Sequence, residues 1–191
     1  MRRLLVIGAG GHGRAVAEAA ELGVSHAVAG FLDDAPDVEH DIWGIPVWGS
    51  SSMLAELLGR VDEVVVAIGN NTVRRALHQR VRETGLTLAT IVHPAALLSP
   101  RAVVGPGSVL MAGAIVGTQA RLGEGVIVNC GAVVDHDCVV ENFGHLGVKA
   151  GMAGGAVLGA GAWMQAGSSL GYGVTVPSAS VLRPGESRAA G

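Results

Sequence analysis

A six-residue period occupies the second half of the chain. Residues 91–186 divide into consecutive hexads without an insertion, and the second residue of every hexad is Val, Leu or Met. The sixth residue is nearly always Ala, Ser, Gly or Cys, and the third is often glycine. A period of six matches neither the 3.6 residues of a helical turn nor the simple alternation of a strand.

This pattern is typical of short flat strands joined by tight corners. The large aliphatic residue fills the interior, the small residue fits a crowded corner, and glycine is expected to supply the turn dihedrals that a Cβ would oppose. Coils stacked at about 4.8 Å then bury continuous ladders of aliphatic side chains. The repeat predicts a parallel β-solenoid over residues 91–186, followed by a flexible tail over 187–191.

The first ninety residues have a different pattern, in which buried strands alternate with helical segments. Strands are predicted over residues 4–7, 28–32 and 64–68, and helices over residues 14–22, 53–58 and 74–83. Such alternation is typical of a parallel sheet. Residues 1–90 are therefore predicted to form a small Rossmann-like parallel α/β domain.

A glycine-rich turn joins the first predicted strand to the first helix. Gly8, Gly10 and Gly13 fit the G-x-G-x-x-G phosphate turn, where the open amides and the helix dipole favour an anion. Asp33 and Asp34 end the next predicted strand, where a ribose hydroxyl could be held. NAD is one candidate, but ninety residues make only half of a dinucleotide fold. Another bound nucleotide and a purely structural turn are the alternatives.

Composition excludes several classes of partner. The net charge is −3 and the chain has a single lysine, so no basic face for nucleic acid is expected. No apolar run reaches the roughly 18 residues that span a bilayer, and the apolar N-terminus is interpreted as a buried strand rather than a signal peptide. Cys130 and Cys138 lack metal-like spacing. A cytoplasmic protein without a bound metal is therefore predicted.

Five motifs share one order and spacing with a known family. They are Gly8-Ala9-Gly10-Gly11-His12-Gly13, Asp33-Asp34, Ile68-Gly69-Asn70-Asn71 with Arg74, His93-Pro94, and Asn129…His136-Asp137…His145. Through them the chain, to about residue 182, resembles the sialic-acid O-acetyltransferase-type sugar acyltransferases. This family includes the N-acetyltransferases of nucleotide-linked 4-amino-sugars. The resemblance implies a left-handed parallel β-helix, acetyl-CoA as acyl donor, and a homotrimer with active sites between subunits.

The resemblance also implies roles for individual residues. In the family, the histidine that matches His136 is the general base, and the acidic residue that matches Asp137 assists it. Asn129 matches a residue near the acceptor sugar, and His145 one near the acetyl-CoA thioester. The nucleotide-sugar site is assigned to Gly10, Gly11, His12, Gly13, Asp33, Asp34, Asn70 and Arg74.

The repeat geometry adds expectations of its own. The resemblance implies that three hexads, or 18 residues, make one coil. Gly154 lies 18 residues after His136 and is therefore expected one strand spacing above it, where it leaves room and offers an N–H to an oxyanion. His145 lies half a coil from His136, so the two share a pocket only if a neighbouring subunit supplies one of them. Trp163, one coil above His145, either walls the CoA channel or packs structurally.

These expectations combine into one proposed reaction, direct acetyl transfer to a nucleotide-linked 4-amino-deoxysugar. A neutral His136 removes the proton of the nucleophile, and Asp137 orients the ring. Asp135 is a competing orienter, although its side chain is expected on the other face of its strand. His26, His40 and His78 are predicted to be ordinary surface residues.

Three alternatives remain open from the sequence. The first is O-acetylation of sialic acid or a related sugar. The second is a non-catalytic trimer that binds a nucleotide sugar. The third is a zinc-dependent carbonic anhydrase on the same β-helix, which needs three convergent histidines; His93, His136 and His145 fit that spacing poorly.

Overall fold

The computed structural model describes residues 1–35, 37 and 39–189, and the chain divides into two compact units, Met1–Ile91 and Val92–Gly191. The sequence places the boundary between residues 90 and 91. No helix in the described part of the chain is both long and apolar enough to cross a membrane.

The first unit contains a four-stranded parallel sheet in the order β2-β1-β5-β6. Its strands and the small antiparallel hairpin β3-β4 are β1 Arg2–Ile7, β2 His26–Leu32, β3 Asp41–Ile42, β4 Ile45–Pro46, β5 Glu63–Val66 and β6 Thr87–Leu88. The helices are α1 Gly11–Leu22 and α2 Asn71–Glu83. The segment predicted as a helix over 53–58 is a 3₁₀ helix over Ser51–Leu57, which begins at the Ser50 cap.

Helix α1 starts directly after β1 because two glycines let the main chain pass very close to itself. A Cβ on Gly13 would lie only 1.8 Å from the Gly8 carbonyl oxygen, and Gly8 itself has φ +108°. The buried side of α1 then consists of small and aliphatic residues, among them Val16 and Ala20. The two glycines therefore fix where the helix N-terminus lies relative to the sheet.

Two of the histidines predicted to be on the surface are buried. His78 is fully buried on the face of α2 that also contains Arg74, Leu77 and Val81, a set spaced at helical intervals. His26 is also buried, with Nε2 2.7 Å from a Glu63 carboxylate oxygen. The prediction was wrong for both because it judged each histidine by its type and not by the face that it occupies.

The second unit is a left-handed parallel β-helix, in which the first two residues of each hexad form a strand. Face 1 consists of Ile91–Val92, Val109–Leu110, Ile127–Val128, His145–Leu146, Trp163–Met164 and Val181–Leu182. Face 2 consists of Leu97–Leu98, Ile115–Val116, Val133–Val134, Gly151–Met152, Ser169–Leu170 and Ser187–Arg188. Face 3 consists of Val103–Val104, Arg121–Leu122, Val139–Val140, Val157–Leu158 and Thr175–Val176.

Each strand pairs in parallel with the strand 18 residues later, as His145 does with Trp163. The aliphatic second residues and the small sixth residues of the hexads form one buried core along the axis. Leu98, the second residue of a hexad in the first coil, is an exception, because its side chain is 39% exposed. The repeat thus places side chains of equivalent positions directly above one another, one coil apart.

Glycine has a different place in the coil from the one that the sequence predicts. From residue 107 onward, the fifth residue of every hexad has φ between +55° and +70°, so the left-handed corner lies there and not at the third residue. The third-residue glycines are needed for close stacking instead. A Cβ on Gly117 would lie 2.8 Å from the main-chain nitrogen of His136, and one on Gly159 would lie 2.4 Å from the main-chain nitrogen of Ser178.

The end of the repeat also differs from the prediction of a tail from residue 187. Ser187–Arg188 forms a further strand that pairs with Ser169–Leu170, and the Ser169 hydroxyl donates to the Ser187 hydroxyl oxygen at 2.9 Å. The ladder continues because its main-chain hydrogen bonds do not require an aliphatic residue. Residues 190 and 191 of the predicted tail lie outside the described residues.

Candidate functional site

His136 lies in the turn that connects a strand of face 2, Val133–Val134, to a strand of face 3, Val139–Val140. Main-chain hydrogen bonds hold this turn to the coils on both sides. The Asp137 N–H donates to the Thr118 carbonyl at 2.9 Å, and the Gly155 N–H donates to the His136 carbonyl at 3.0 Å. The imidazole is thus 48% exposed on a fixed backbone.

Asp137 orients the imidazole of His136. A carboxylate oxygen of Asp137 lies 2.8 Å from His136 Nδ1, which leaves Nε2 directed away from this contact. Asp137 has φ +59° at a corner position where most hexads have glycine. Aspartate tolerates this conformation better than most residues, but it remains an uncommon one. The φ of Asp137 belongs to the corner itself, because Gln119, Phe143 and Lys149 have the same conformation at equivalent positions.

The charges around His136 change its proton affinity. The hydrogen bond that the His136 ring donates to the Asp137 carboxylate is the main cause that raises the pKa of His136, and the negative charge of Asp135 adds to it. Asp135 is closer than the sequence predicts. One carboxylate oxygen of Asp135 accepts the main-chain N–H of His136 at 2.7 Å, and the other lies 3.9 Å from Nε2 of the His136 ring. The expectation that Asp135 points to the other face is wrong, because the third residue of the hexad also faces outward.

Gly154 and Tyr172 border His136 on the same edge of the β-helix. A Cβ on Gly154 would lie 2.6 Å from His136 Nε2 and 2.7 Å from Tyr172 Cε1, so glycine is required between these two rings. The prediction that Gly154 leaves room beside His136 agrees with this geometry. Tyr172 was missed by the sequence analysis, although its distance of two whole coils from His136 could have indicated it.

His145 and Trp163 are on face 1, apart from the turn that holds His136. Their rings stack, with centroids 5.4 Å apart and planes inclined by 17°. His145 is buried, whereas Trp163 is 37% exposed. Within one chain, the structure therefore groups His136, Asp137 and Gly154, and places His145 and Trp163 elsewhere.

Asn129 follows the face 1 strand Ile127–Val128, in the coil below His145. The side-chain oxygen of Asn129 accepts the Cys130 N–H at 2.9 Å, and the main-chain N–H of Asn129 donates to the Leu146 carbonyl at 3.0 Å. Asn129 is thus on the same side of the β-helix as His145. His136 lies at the next corner of the same coil, after the face 2 strand Val133–Val134.

The first unit contains a cavity of about 300 Å³ at the N-terminus of α1. It is lined by Ala9, Gly10, Arg14, Asp33, Ala35, Asp37, Glu39 and Ile42. Among the residues that the structure describes, no side chain caps α1 through a hydrogen bond, and a Cβ on either Gly10 or Gly11 would meet nothing within 4 Å. This end of the helix therefore has open amides and free space, as an anionic ligand requires.

The two aspartates after β2 have different roles. Asp33 lines the cavity and accepts the N–H groups of Ala9 at 2.6 Å and Ala35 at 2.8 Å, which shapes the glycine turn. Asp34 instead accepts the N–H and the hydroxyl of Ser51, at 2.7 and 2.8 Å. The structure brings Asp33 to the cavity and places Asp34 at the start of the 3₁₀ helix, outside the lining.

His12, in the first turn of α1, and Asn70 and Arg74, at the start of α2, are not among the residues that line the cavity. Burial, and then the charge of Arg74, lower the pKa of His12 to about 4. Arg74 is 1% exposed and donates to the carbonyls of Ile68 and Gly69 at 3.0 and 3.2 Å; its burial lowers its pKa to about 10. Asn70 caps α2 through the N–H groups of residues 72 and 73. Asn70 and Arg74 are thus held by hydrogen bonds within the protein, whereas the buried Nε2 of His12 has no hydrogen-bond partner among the described residues.

Cations have no clear site in the part of the chain that the structure describes. No group of three or more His, Cys, Asp or Glu side chains there could hold a metal ion.

Known proteins share both units of this structure. Residues 3–81 match the family described as the PglD N-terminal domain. A histidine-to-alanine variant of the GDP-perosamine N-acetyltransferase of Caulobacter crescentus, solved with CoA and GDP-perosamine, superimposes with a TM-score of 0.93. It is 32% identical, and the match covers 97% of this chain and 88% of that chain.

Two further relatives extend the comparison. The acetyltransferase domain of PglB from Neisseria gonorrhoeae FA1090, in complex with acetyl coenzyme A, is 34% identical with a TM-score of 0.75, over 99% of this chain and 96% of that chain. UDP-N-acetylbacillosamine N-acetyltransferase of Bacillus subtilis (strain 168) is 31% identical over 106 residues, 53% of this chain and 48% of the relative. This match thus spans about half the length of that curated relative.

Proposed function

The chain belongs to the hexapeptide-repeat family of sugar acyltransferases, and we propose that it transfers an acetyl group from acetyl-CoA to the amino group of a nucleotide-linked 4-amino-deoxysugar. One observation carries the proposal. The oriented His136–Asp137 pair opens onto Gly154 in a chain that is 32% identical, over 97% of its length, to an enzyme solved with CoA and GDP-perosamine.

The proposed mechanism is direct transfer. The neutral sugar amine attacks the thioester carbonyl carbon, and His136 Nε2 takes the proton that the nitrogen loses as the C–N bond forms. Asp137 holds the ring through Nδ1 and stabilises the imidazolium. The Gly154 N–H donates to the oxyanion of the tetrahedral intermediate. The C–S bond then breaks, and the CoA thiolate leaves and takes the proton from His136.

The nucleotide diphosphate is assigned to the N-terminus of α1. Gly10 and Gly11 leave the space that a phosphate needs beside the helix amides. Arg14 lines the same cavity and supplies positive charge, while Asp33 shapes the turn. Asp34, which is occupied by Ser51, is not retained as a ligand residue.

The assay that tests the function is thiol release from acetyl-CoA with a panel of nucleotide-linked 4-amino-sugars and with free sialic acid. Turnover with an amino-sugar is the expected result. Turnover with sialic acid alone would assign the protein to O-acetylation. No release with any acceptor, together with retained binding of a nucleotide sugar, would support the non-catalytic alternative.

The active sites are proposed to lie between the subunits of a homotrimer. His136 and His145 are on different parts of one β-helix, so a shared site needs one residue from each of two subunits. Mixing unfolded His136→Ala and His145→Ala chains and refolding them together is expected to restore about one quarter of wild-type activity, since that share of the interfaces pairs two intact residues.

The refolding experiment has its own control. Each variant refolded alone should keep the reduced activity of its own substitution. Restored activity in the mixture requires both intact residues to meet across an interface. No recovery in a mixture that contains folded trimers would contradict the intersubunit site and favour sites within one chain.

Replacing Asp137 by asparagine is expected to shift the pH dependence of kcat/KM. The neutral form of His136 is the base and is present above its pKa, which Asp137 raises. Without that carboxylate the pKa falls, so the acid limb of the profile should move to lower pH. Asp135→Asn is the matched control and should give a smaller shift in the same direction, because its charge is the lesser cause. An acid limb that stays in place or moves up would refute Asp137 as the partner of the base.

A further inference from the structure

Tyr172 is the only tyrosine of the chain, and it faces His136 across Gly154. The centroids of the two rings are 6.1 Å apart and their planes are inclined by 51°. Atoms of both rings lie within 2.7 Å of the place that a Cβ on Gly154 would take. The rings are therefore two walls of one narrow space, and the main chain of Gly154 is its floor.

This space is too narrow for a carbon group between the ring centres. Carbon atoms in contact are about 3.5–4.0 Å apart, so a carbon between two rings needs the rings to stand about 7–8 Å apart. The observed separation of His136 and Tyr172 is 6.1 Å. A small acyl group must therefore lie at the ring edges above Gly154, and each further methylene must displace Tyr172.

Tyr172 also lies on the side of the space opposite the proposed base. If the nucleophile approaches from His136 Nε2, the face of the thioester turned away from the attack meets Tyr172. We infer that Tyr172 is a specificity-determining residue that restricts the donor to acetyl-CoA and against longer acyl thioesters. The inference rests on the proposed acetyl transfer and adds the chain length of the donor.

The position of Tyr172 makes the inference testable without damage to the fold. Its side chain is 66% exposed, so it contributes little to the core, and its truncation leaves no buried cavity. Thr118 offers a matched control. It occupies the equivalent place one coil below His136, on the side away from Gly154, and is exposed.

The experiment measures kcat/KM for acetyl-, propionyl- and butyryl-CoA with one amino-sugar acceptor in wild type, Tyr172→Ala, Tyr172→Phe and Thr118→Ala. The propionyl-to-acetyl ratio is expected to rise at least about tenfold in Tyr172→Ala, the discrimination that one methylene gives in a confined pocket. Tyr172→Phe should keep the wild-type ratio because the ring, and not the hydroxyl, limits the space. Thr118→Ala should also keep it.

The outcomes separate this inference from the function on which it rests. Acetyl transfer by wild type with an unchanged donor ratio in Tyr172→Ala overturns the role of Tyr172 alone. A changed KM for the sugar in Tyr172→Ala, with an unchanged propionyl-to-acetyl ratio, also overturns the role of Tyr172. That result would place the acceptor, and not the donor, against the Tyr172 ring. Absence of acetyl transfer by wild type contradicts the proposed function and, with it, this inference.

Discussion

Replacing His136 by alanine is expected to reduce kcat for thiol release by a factor of about 10²–10⁴, the usual contribution of a general base. The loss follows because Nε2, beside Gly154, is the group proposed to take the proton of the attacking amine. Binding of the nucleotide sugar should be retained, since its proposed site is in the first unit. Steady-state thiol release and calorimetric binding measure the two effects separately.

The control for this variant is His40→Ala. His40 is exposed in the first unit and lies outside the lining of the cavity. It should keep the activity and the thermal midpoint of wild type. Because the His136 side chain is 48% exposed, its removal should not lower the midpoint either. Turnover by His136→Ala within about threefold of wild type would rule out general-base catalysis by this residue.

Replacing Gly13 by alanine is expected to destabilise the first unit by at least about 3 kcal/mol, the upper range for overpacking of a close-packed site. The new Cβ would lie 1.8 Å from the Gly8 carbonyl oxygen, and the nearby atoms are all main chain. Either α1 or β1 must therefore move. Urea unfolding of the full chain, followed by tryptophan fluorescence, should show the change through Trp43 and Trp48.

Gly11→Ala is the matched control two residues earlier in the same helix. A Cβ there meets nothing within 4 Å, and alanine is a better helix former than glycine, so stability should be equal to or above that of wild type. Affinity for the nucleotide sugar should fall, because the methyl group occupies space assigned to the phosphate. Equal stability of Gly13→Ala and Gly11→Ala would contradict the close packing, and unchanged affinity in Gly11→Ala would contradict the phosphate site.

The fold was predictable from the sequence where a single period controls packing. The period of six predicts an aliphatic side chain that is buried in every hexad, the resemblance implies that three hexads make one coil, and the structure has that 18-residue register. The structural reason for glycine at each position of the hexad was harder to predict. The corner dihedral at the fifth residue and the close stacking at the third both favour glycine, so composition alone cannot separate them.

The candidate site was predictable in part. His136 follows from the resemblance to the family, and the position of Gly154 follows from the repeat, because it lies one coil above His136. Tyr172 was missed because only the neighbouring coil was considered, although its contact with His136 passes over the missing side chain of Gly154. Asp34 could not be separated from Asp33 by sequence, since its engagement depends on Ser51, a residue distant along the chain.

The coil of fixed length also acts as a ruler for the site. Groups on the edge that carries His136, Gly154 and Tyr172 can be separated only by whole coils, in steps of about 4.8 Å. Inserting one residue in a corner would not lengthen the site gradually, because the pairing between coils keeps the later strands at the same spacing. In such a scaffold, the space between two side chains on this edge changes with the size of the side chains, since their main-chain positions are fixed. Single substitutions are therefore the natural route to new substrates.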